Sequence, residues 1–267
     1  MRIGLVVEGI CPGINNFIHT LTQRSKDTVI GFSKGWQGLY EDEALFMSTQ
    51  TTVGFENLGG SILSSSSLKA VSKSWKYRIM HNLLKYRIDL LLIAGNEDSL
   101  SLVNELFSAG IRVIVIPSAD FGLNIDSYRI GLDTVLNELS ECIHRFKDLF
   151  RISGRKIVLC MSSKFRSILE QVKNVHSFLS KEVSDQILVS WNESFEDTDC
   201  LVKIDGILSA IKPLKKDLLF AQDLAKAILS HSPSRGGTVI TYNGNFKFLS
   251  LQSFQRTVLN NVEGGRM

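Results

Sequence analysis

The feature that most constrains this fold is an alternation of two hydrophobic patterns along the chain. Short, β-branched apolar runs lie at 3–7, 28–31, 90–94, 112–116, 156–161 and 186–190. Between them, helical spacing of apolar residues occurs at 14–23, 68–87, 99–109, 131–150, 163–182 and 217–230. Continuous apolar runs suit strands that are buried on both faces. The alternation therefore predicts an α/β fold with a parallel, doubly wound sheet.

Composition and charge are those of a compact globular protein. The chain has 267 residues, of which 44% are hydrophobic and 21% are charged, so one large domain or two modest lobes would fit. The segment 151–154 is a candidate lobe boundary. The formal net charge of +3 is close to neutrality, which indicates neither a nucleic-acid partner nor a membrane partner.

The cysteines and the N-terminus bear on the cellular compartment. Cys11, Cys142, Cys160 and Cys200 lie far apart, with no CxxC pair and no histidine at metal-ligand spacing. The N-terminal sequence MRIGLVVEG has too short an apolar run for a signal peptide. No apolar stretch approaches the roughly 20 residues of a membrane span. We therefore expect reduced thiols and a cytoplasmic protein.

The loops that follow the predicted strands carry most of the functional signal, because open parallel sheets bind ligands at the carboxyl ends of their strands. In the first loop, EGICPGINN, Gly9 and Gly13 allow a close approach of the backbone, and Ile14 opens a helix whose N-terminus could face an anion. Taken alone, this loop is equally consistent with a structural turn. Trp36, in the next loop, is typical of a core residue.

Five loops taken in order resemble the phosphofructokinase family. That family carries GGDxPGxN, GWxGL, GGTxLGTSR, GGDGS or GGDDS, and PKTIDND followed by GFDTA. The corresponding strings here are EGICPGIN, GWQGL, GGSILSSSS, AGNEDS, and PSADFGL followed by GLDTV. Their order and spacing match over about the first 140 residues, and the combination is far more specific than any one motif.

The resemblance implies a phosphofructokinase-like fold with two lobes. Residues 1–150 would form the phosphate-donor lobe, with the segment from about 222 to 267 packing back on it, and residues 151–221 would form a shortened sugar-phosphate lobe. It also implies a glycolysis-related protein that binds a phosphorylated small molecule and, if active, uses Mg²⁺ with ATP or pyrophosphate. The expected assembly is a homo-oligomer, or a hetero-oligomer with a catalytic paralogue.

The resemblance also assigns roles to particular residues. Asp120 aligns with the family's general base, which takes the proton of a sugar hydroxyl as the phosphoryl group arrives. From the residues alone, a turn or cap role for Asp120 is equally consistent. Asn96 and Asp98 are the candidate metal ligands. The candidate donor-binding residues are Gly9, Cys11, Gly13, Gly95, Asn96, Glu97 and Asp98.

Several positions of the family motifs carry a different residue type. Glu8 replaces a glycine and Ile10 an aspartate in the first loop, and a carboxylate close to a polyphosphate repels it unless a cation intervenes. Asn96 replaces the aspartate that holds magnesium and is a weaker ligand for a hard cation. Gly122 replaces the second aspartate of the fifth loop, and Ser67 replaces an arginine that binds the acceptor.

These replacements favour a phosphofructokinase-like pseudoenzyme that keeps the fold, has lost or altered phosphoryl transfer, and acts as a regulatory, binding or assembly subunit. The alternative is an active 6-phosphofructokinase-type kinase in which Asp120 is the base and Glu97 or Asp98 binds the metal. A third hypothesis is a purely structural role within an oligomer.

Overall fold

A computed structural model describes residues 1–67, 75–123, 127–153, 157–160, 187–190, 200–231 and 237–256. Ten strands lie in this part of the chain. They are β1 (Arg2–Val7), β2 (Thr28–Phe32), β3 (Ala44–Met47), β4 (Leu90–Gly95), β5 (Arg112–Pro117), β6 (Ile157–Cys160), β7 (Ile187–Ser190), β8 (Cys200–Lys203), β9 (Gly237–Tyr242) and β10 (Phe246–Ser250).

The described helices fall mainly between these strands. They are α1 (Ile14–Arg24), α2 (Gly35–Glu41), α3 (Thr49–Thr52), α4 (Trp75–Lys85), α5 (Leu100–Ser108), α6 (Leu132–Ser153), α7 (Ile204–Ala210) and α8 (Lys215–Ser230), with a single 3₁₀ turn at Glu97–Ser99. None of them is long and apolar enough to cross a lipid bilayer.

Seven strands form one large sheet in the order β10-β9-β5-β4-β1-β2-β3. The five inner strands are parallel, whereas β3 and β10 run antiparallel to their neighbours at the two edges. Strands β7, β6 and β8 form a second, parallel sheet. The mixed α/β architecture confirms the predicted fold class, while the division into lobes at 1–150 and 151–221 stays a prediction.

All six predicted strands are present, because each is a continuous apolar run that suits a buried parallel strand. β4 is the clearest case, with all six residues buried. The sequence analysis missed β3, β8, β9 and β10. The two edge strands of the large sheet, β3 and β10, contain only exposed and partly buried positions. It also treated the glycine-rich GWQGLYE as a loop, whereas this segment forms α2 because Trp36 and Leu39 pack into the core. The predicted helix at 163–182 lies outside the described residues.

The helices cover both faces of the large sheet. On one face, α1 and α8 pack together and bury Phe17, Leu21 and Leu224 against β1 and β4. On the other face, α5 buries Leu102 and Leu106. The chain thus leaves β1 toward one face and leaves β4 toward the other, although the two strands are neighbours. Open α/β sheets bind ligands in the crevice at such a switch point.

Candidate functional site

The first, fourth and fifth loops meet at this switch point, around the side chain of Asp120. Its Oδ1 accepts hydrogen bonds from the backbone N–H of Ile10 (2.8 Å) and from Ser118 Oγ (2.6 Å). Its Oδ2 accepts a longer bond from Asn96 Nδ2 (3.4 Å). Asp120 is only 7% exposed. The fold therefore brings together three loops that the sequence analysis singled out, with the candidate base at their centre.

Gly9 makes the close contact of the first and fifth loops feasible. A Cβ added at Gly9 would lie 2.2 Å from Ser118 Oγ and 2.5 Å from Asp120 Oδ1. The backbone next to it is also joined to the fifth loop, because the N–H of Ala119 donates to the carbonyl of Ile10 (3.0 Å). The two loops thus touch directly, and Gly9 has a packing role that does not depend on a ligand.

Glu8 lies in the crevice itself and joins three loops. It is 7% exposed, and its Oε2 accepts hydrogen bonds from Trp36 Nε1 (3.1 Å) in α2 and from the Ser99 hydroxyl after β4. The same oxygen would lie 3.1 Å from a Cβ placed at Gly95. The carboxylate therefore fills the space between the first, second and fourth loops, and it is held by hydrogen bonds as a buried charge must be.

The fourth and fifth loops are joined by a second carboxylate, that of Glu97. Its Oε2 accepts a hydrogen bond from the backbone N–H of Gly122 (2.6 Å). A Cβ at Gly122 would lie 2.7 Å from Glu97 Oε1, so glycine leaves the room that this side chain occupies. Glu97, a candidate donor-binding residue, and Gly122, a replacement in the fifth loop, are therefore one structural pair.

A buried arginine lies beneath these carboxylates. Arg129 is 1% exposed and donates to the carbonyl oxygens of Phe121 (2.6 Å) and Leu123 (3.0 Å). Burial lowers the pKa of Arg129 to about 10, while the negative charges of Glu97 and Asp120 act in the opposite direction. The guanidinium therefore stays charged at neutral pH. It supplies a positive charge inside the protein close to two of the site carboxylates.

Cys11 and Gly13 complete the first loop without facing the crevice. Burial, together with the negative charges of Asp120 and Glu8, raises the pKa of the Cys11 thiol well above its ordinary value. The thiol packs in the core beside Ile14 and is not an activated nucleophile. Gly13 adopts a positive φ of 94° at the start of α1, where the backbone of Asp217 approaches within 3.3 Å of an added Cβ.

A family model described as "Phosphofructokinase" matches residues 2–162. That match covers more than half of the chain and includes all five loops. The chain belongs to the phosphofructokinase family. The resemblance inferred from the five motifs is thereby confirmed.

Curated relatives in the phosphofructokinase family match about 60% of the chain. One, named pyrophosphate–fructose 6-phosphate 1-phosphotransferase, from Dictyoglomus thermophilum, is 31% identical over 165 residues, which are 60% of this chain and 48% of the relative. Another, named ATP-dependent 6-phosphofructokinase 3, from Streptomyces coelicolor, is 29% identical over 166 residues. These residues are 60% of this chain and 49% of the relative. The chain thus spans about half the length of the curated relatives it matches.

Solved phosphofructokinase structures share the fold. The enzyme from Saccharomyces cerevisiae gives a TM-score of 0.65 at 16% identity, covering 98% of this chain and 47% of that chain. A pyrophosphate-dependent phosphofructokinase from Marinobacter aquaeolei gives a TM-score of 0.60 at 10% identity, and the match covers 94% of this chain and 82% of that chain. The phosphofructokinase-like fold predicted from the sequence is confirmed.

The fourth loop of this phosphofructokinase-family chain fits a magnesium ion poorly. Asn96 Oδ1 already accepts the backbone N–H of Asp98 (3.1 Å), and its Nδ2 faces Asp120. Among the described residues, no three His, Cys, Asp or Glu side chains converge as a metal site. A donor polyphosphate fits no better, because the Glu8 carboxylate occupies the crevice and would repel it.

Three residues of the site were missed or misjudged by sequence reasoning. Trp36 is fully buried, as expected of a core residue, but its indole N–H also binds Glu8. Ser99 and Arg129 were not singled out at all. Ser99 could have been noticed as the last residue of the AGNEDS motif, whereas Arg129 stands between aromatic and apolar residues that carry no motif.

Proposed function

We propose that this chain is a phosphofructokinase-family pseudoenzyme, which keeps the fold without phosphoryl transfer at the family's site and acts as a regulatory, binding or assembly subunit. The observation that carries the proposal is the position of the Glu8 carboxylate, which is buried in the crevice and hydrogen-bonded to Trp36 and Ser99. A negative group of the protein itself thus stands where the family resemblance expects a phosphate. The residues do not fit Mg²⁺ with ATP or pyrophosphate in that position.

The state of Asp120 supports the same conclusion. A general base must reach the proton that it removes, but both carboxylate oxygens of Asp120 accept hydrogen bonds from neighbouring loops and its side chain is buried. In this arrangement Asp120 joins the first and fifth loops. The turn-like role that the residues alone left open is therefore the one we favour.

An active kinase of the 6-phosphofructokinase type is the second candidate. It is favoured by the names of the relatives, which are phosphotransferases that use pyrophosphate or ATP, and by the presence of Asp120 at the centre of the three loops. In this case Asp120 would take the proton of a sugar hydroxyl after its hydrogen bonds to Ile10 and Ser118 are exchanged.

A coupled assay with fructose 6-phosphate, magnesium and either ATP or pyrophosphate separates the two candidates. The pseudoenzyme proposal expects no turnover above background at high protein concentration. Turnover that Asp120→Ala abolishes and Asp27→Ala preserves would contradict it. Asp27 is partly exposed and pairs with the N-terminal amine. Asp27→Ala is the matched control for loss of one carboxylate.

Calorimetry with magnesium pyrophosphate tests the role of Glu8 directly. We expect no heat of binding with the wild-type chain and measurable binding with Glu8→Gly, since that variant frees the Trp36 and Ser99 donors for an anion. Binding by the wild type that Glu8→Gly leaves unchanged would show that Glu8 does not block the crevice.

The exposed edge of the large sheet supports the assembly part of the proposal. Leu45 is 46% and Phe46 is 60% exposed on β3, which is the last strand at its end of the sheet. Adjacent residues of a strand point to opposite faces, so each face of β3 carries one largely exposed apolar side chain in the described part of the chain, while Ala44 and Met47 pack against the core. Apolar, unpaired strand edges are sites of association. We infer that β3 contacts a second copy of the chain.

Light scattering tests this inference. The wild-type chain should show a mass above that of the monomer, and Phe46→Lys should lower it. Tyr77→Lys is the control, because Tyr77 is 89% exposed on α4. A monomeric wild type that assembles only on addition of a catalytic paralogue would instead favour the hetero-oligomer.

A further inference from the structure

Two carboxylates of the crevice, those of Asp120 and Glu97, lie where a negative charge needs compensation. Asp120 is 7% exposed, and Glu97 is partly buried against the N–H of Gly122 (2.6 Å). A carboxylate taken out of water is costly unless hydrogen bonds and an opposite charge compensate it. The family resemblance places a magnesium ion at the fourth loop, which would supply that charge. Asn96 fits the ion poorly, so the positive charge needs another source.

Arg129 is a buried cation beside both carboxylates. It is 1% exposed and belongs to the largest fully buried side chains of the described residues. Glu97 and Asp120 are the negative groups whose charges act on its guanidinium. An arginine is almost never buried so completely unless it is paired. The three side chains therefore form one charge cluster at the crevice, with two negative charges and one positive charge.

The hydrogen bonds of Arg129 hold the part of the fifth loop that meets the fourth loop. Nη1 donates to the carbonyl of Phe121 (2.6 Å) and Nη2 to that of Leu123 (3.0 Å). Gly122 lies between these two carbonyls, and its N–H donates to Glu97 Oε2. The guanidinium and the Glu97 carboxylate thus bind the same three residues. A metal ion shared by two loops would join them in a comparable way.

One donor of Arg129 stays without a hydrogen-bond partner in the described part of the chain. Its Nε is buried and accepted by no oxygen there, and an unsatisfied buried donor is costly. An apolar side chain would fill the space without this cost, and a neutral amide could still donate to one loop carbonyl. The property that these neutral side chains lack is a permanent positive charge.

The replaced motif positions agree with a site that has no metal. Asn96 and Gly122 each stand where the family resemblance expects an aspartate, so the fourth and fifth loops have lost two negative charges. A divalent cation carries two positive charges, so its loss balances these replacements. Glu97 and Asp120 remain as negative charges of the two loops, and Arg129 is the buried cation that acts on both.

We propose that Arg129 is a built-in counter-ion of the crevice, which takes over the charge-compensating role of a divalent cation and lets the fourth and fifth loops assemble without a metal. It is a positioning residue, because it acts through the loops that it holds. Its fixed positive charge also repels Mg²⁺. The inference rests on the proposed function in one respect only, namely that no magnesium ion serves the crevice.

A double-mutant cycle in urea unfolding of the full chain tests the role of the charge. Arg129→Met removes the guanidinium, and Glu97→Gln removes one negative charge but keeps an acceptor oxygen. Arg129→Met should lower the folding equilibrium constant about tenfold more in the wild-type background than in Glu97→Gln. The control cycle combines Arg145→Met with Glu141→Gln, a pair whose side chains are 69% and 63% exposed. Its coupling should be about twofold.

Arg129→Lys separates the charge from the paired hydrogen bonds, because lysine keeps the charge and loses the planar fork. It should retain most of the stability that Arg129→Met loses. Equal losses in these two variants would overturn the proposal, and so would an equal effect of Arg129→Met in both backgrounds. If Arg129→Met does not fold alone, folding of the double variant with Glu97→Gln supports the proposal. Failure of both to fold would overturn it, because packing would then outweigh charge.

Magnesium gives an independent readout on the wild-type chain. The urea midpoint should be the same in EDTA and in MgCl₂, with NaCl to equalise the ionic strength. An ion that binds the folded chain raises the folding equilibrium constant about tenfold at about ten times its dissociation constant. A magnesium-dependent midpoint that Asp98→Asn abolishes would therefore overturn the proposal. These readouts record folding, whereas the coupled assay records turnover, so failure of this inference is distinguishable from failure of the pseudoenzyme proposal.

Discussion

Replacement of Glu8 removes the only carboxylate that the two buried donors of Trp36 and Ser99 share in the described part of the site. In Glu8→Ala both donors lose their partner, and each unsatisfied buried donor costs about 1–3 kcal/mol. The two donors together therefore cost about 2–6 kcal/mol. Part of this total is offset, because the substitution also removes a buried charge. We expect a net loss of about 2–4 kcal/mol in the free energy of unfolding.

Glu8→Gln separates the hydrogen bonds from the charge. The amide keeps the size of the side chain and one acceptor oxygen, so it can accept from one donor while its NH₂ group faces the other. We expect a loss of about 1–3 kcal/mol, which is smaller than that of Glu8→Ala. If the buried charge were the dominant cost, Glu8→Gln would instead be more stable than the wild type.

Urea unfolding followed by circular dichroism and tryptophan fluorescence measures both variants. Glu105→Ala is the matched control, because Glu105 is 44% exposed and pairs with the exposed Lys76. Such a surface pair contributes about 0–1 kcal/mol. The reasoning is refuted if Glu8→Ala changes stability no more than Glu105→Ala, or if Glu8→Gln stabilises the chain. Either result would mean that Glu8 does not hold the loops together.

Three further predictions concern the surroundings of the crevice. Gly9→Ala should destabilise the chain by about 1–3 kcal/mol through overpacking, whereas Gly206→Ala, with nothing within 4 Å of the added Cβ, should be neutral or slightly stabilising in urea unfolding. Mass spectrometry should find Cys11 alkylated by iodoacetamide at pH 8 at least about a hundredfold more slowly in the folded chain than in urea, because burial raises its pKa. Burial also raises the pKa of Asp217 above 3.8, so the folded state binds a proton more tightly than the unfolded state. The resulting stabilisation is complete below pH 3.8 and is lost as the pH rises through the folded pKa. The unfolding free energy of the wild type minus that of Asp217→Asn should therefore decrease over that pH range. A difference that does not change with pH would contradict the raised pKa of Asp217.

The central sheet could be predicted from the sequence because its strands are continuous apolar runs. β4 illustrates this, since all six residues of LLLIAG are buried and no other regular structure suits such a short run between turns. The edge strand β3 could not be predicted in the same way. Leu45 and Phe46 are adjacent and both exposed, so β3 shows neither the alternation of a half-buried strand nor the burial of a central one.

The loops of the site could be located from the sequence, but their contacts could not. The first, fourth and fifth loops follow the carboxyl ends of neighbouring parallel strands, so topology alone places them together. The partners of Glu8 are separated from it by 28 and 91 residues, and no local pattern specifies such distant hydrogen bonds. Arg129 escaped notice for a different reason. Its partners are the nearby backbone carbonyls of Phe121 and Leu123, whose positions depend on the fold of the fifth loop.

The replacements in the motifs form a consistent set once their contacts are compared. Trp36, Ser99 and the N–H of Gly122 are donors that could face an anionic ligand, and each donates instead to a carboxylate of the chain itself. Under the pseudoenzyme proposal, Glu8 and Glu97 take the place of the negative charge that a phosphate would bring. Glu8→Gly frees two of these donors, but the Gly122 N–H still donates to Glu97. The substitution also restores no magnesium ligand. We therefore expect that this single change permits an anion to bind while turnover stays absent.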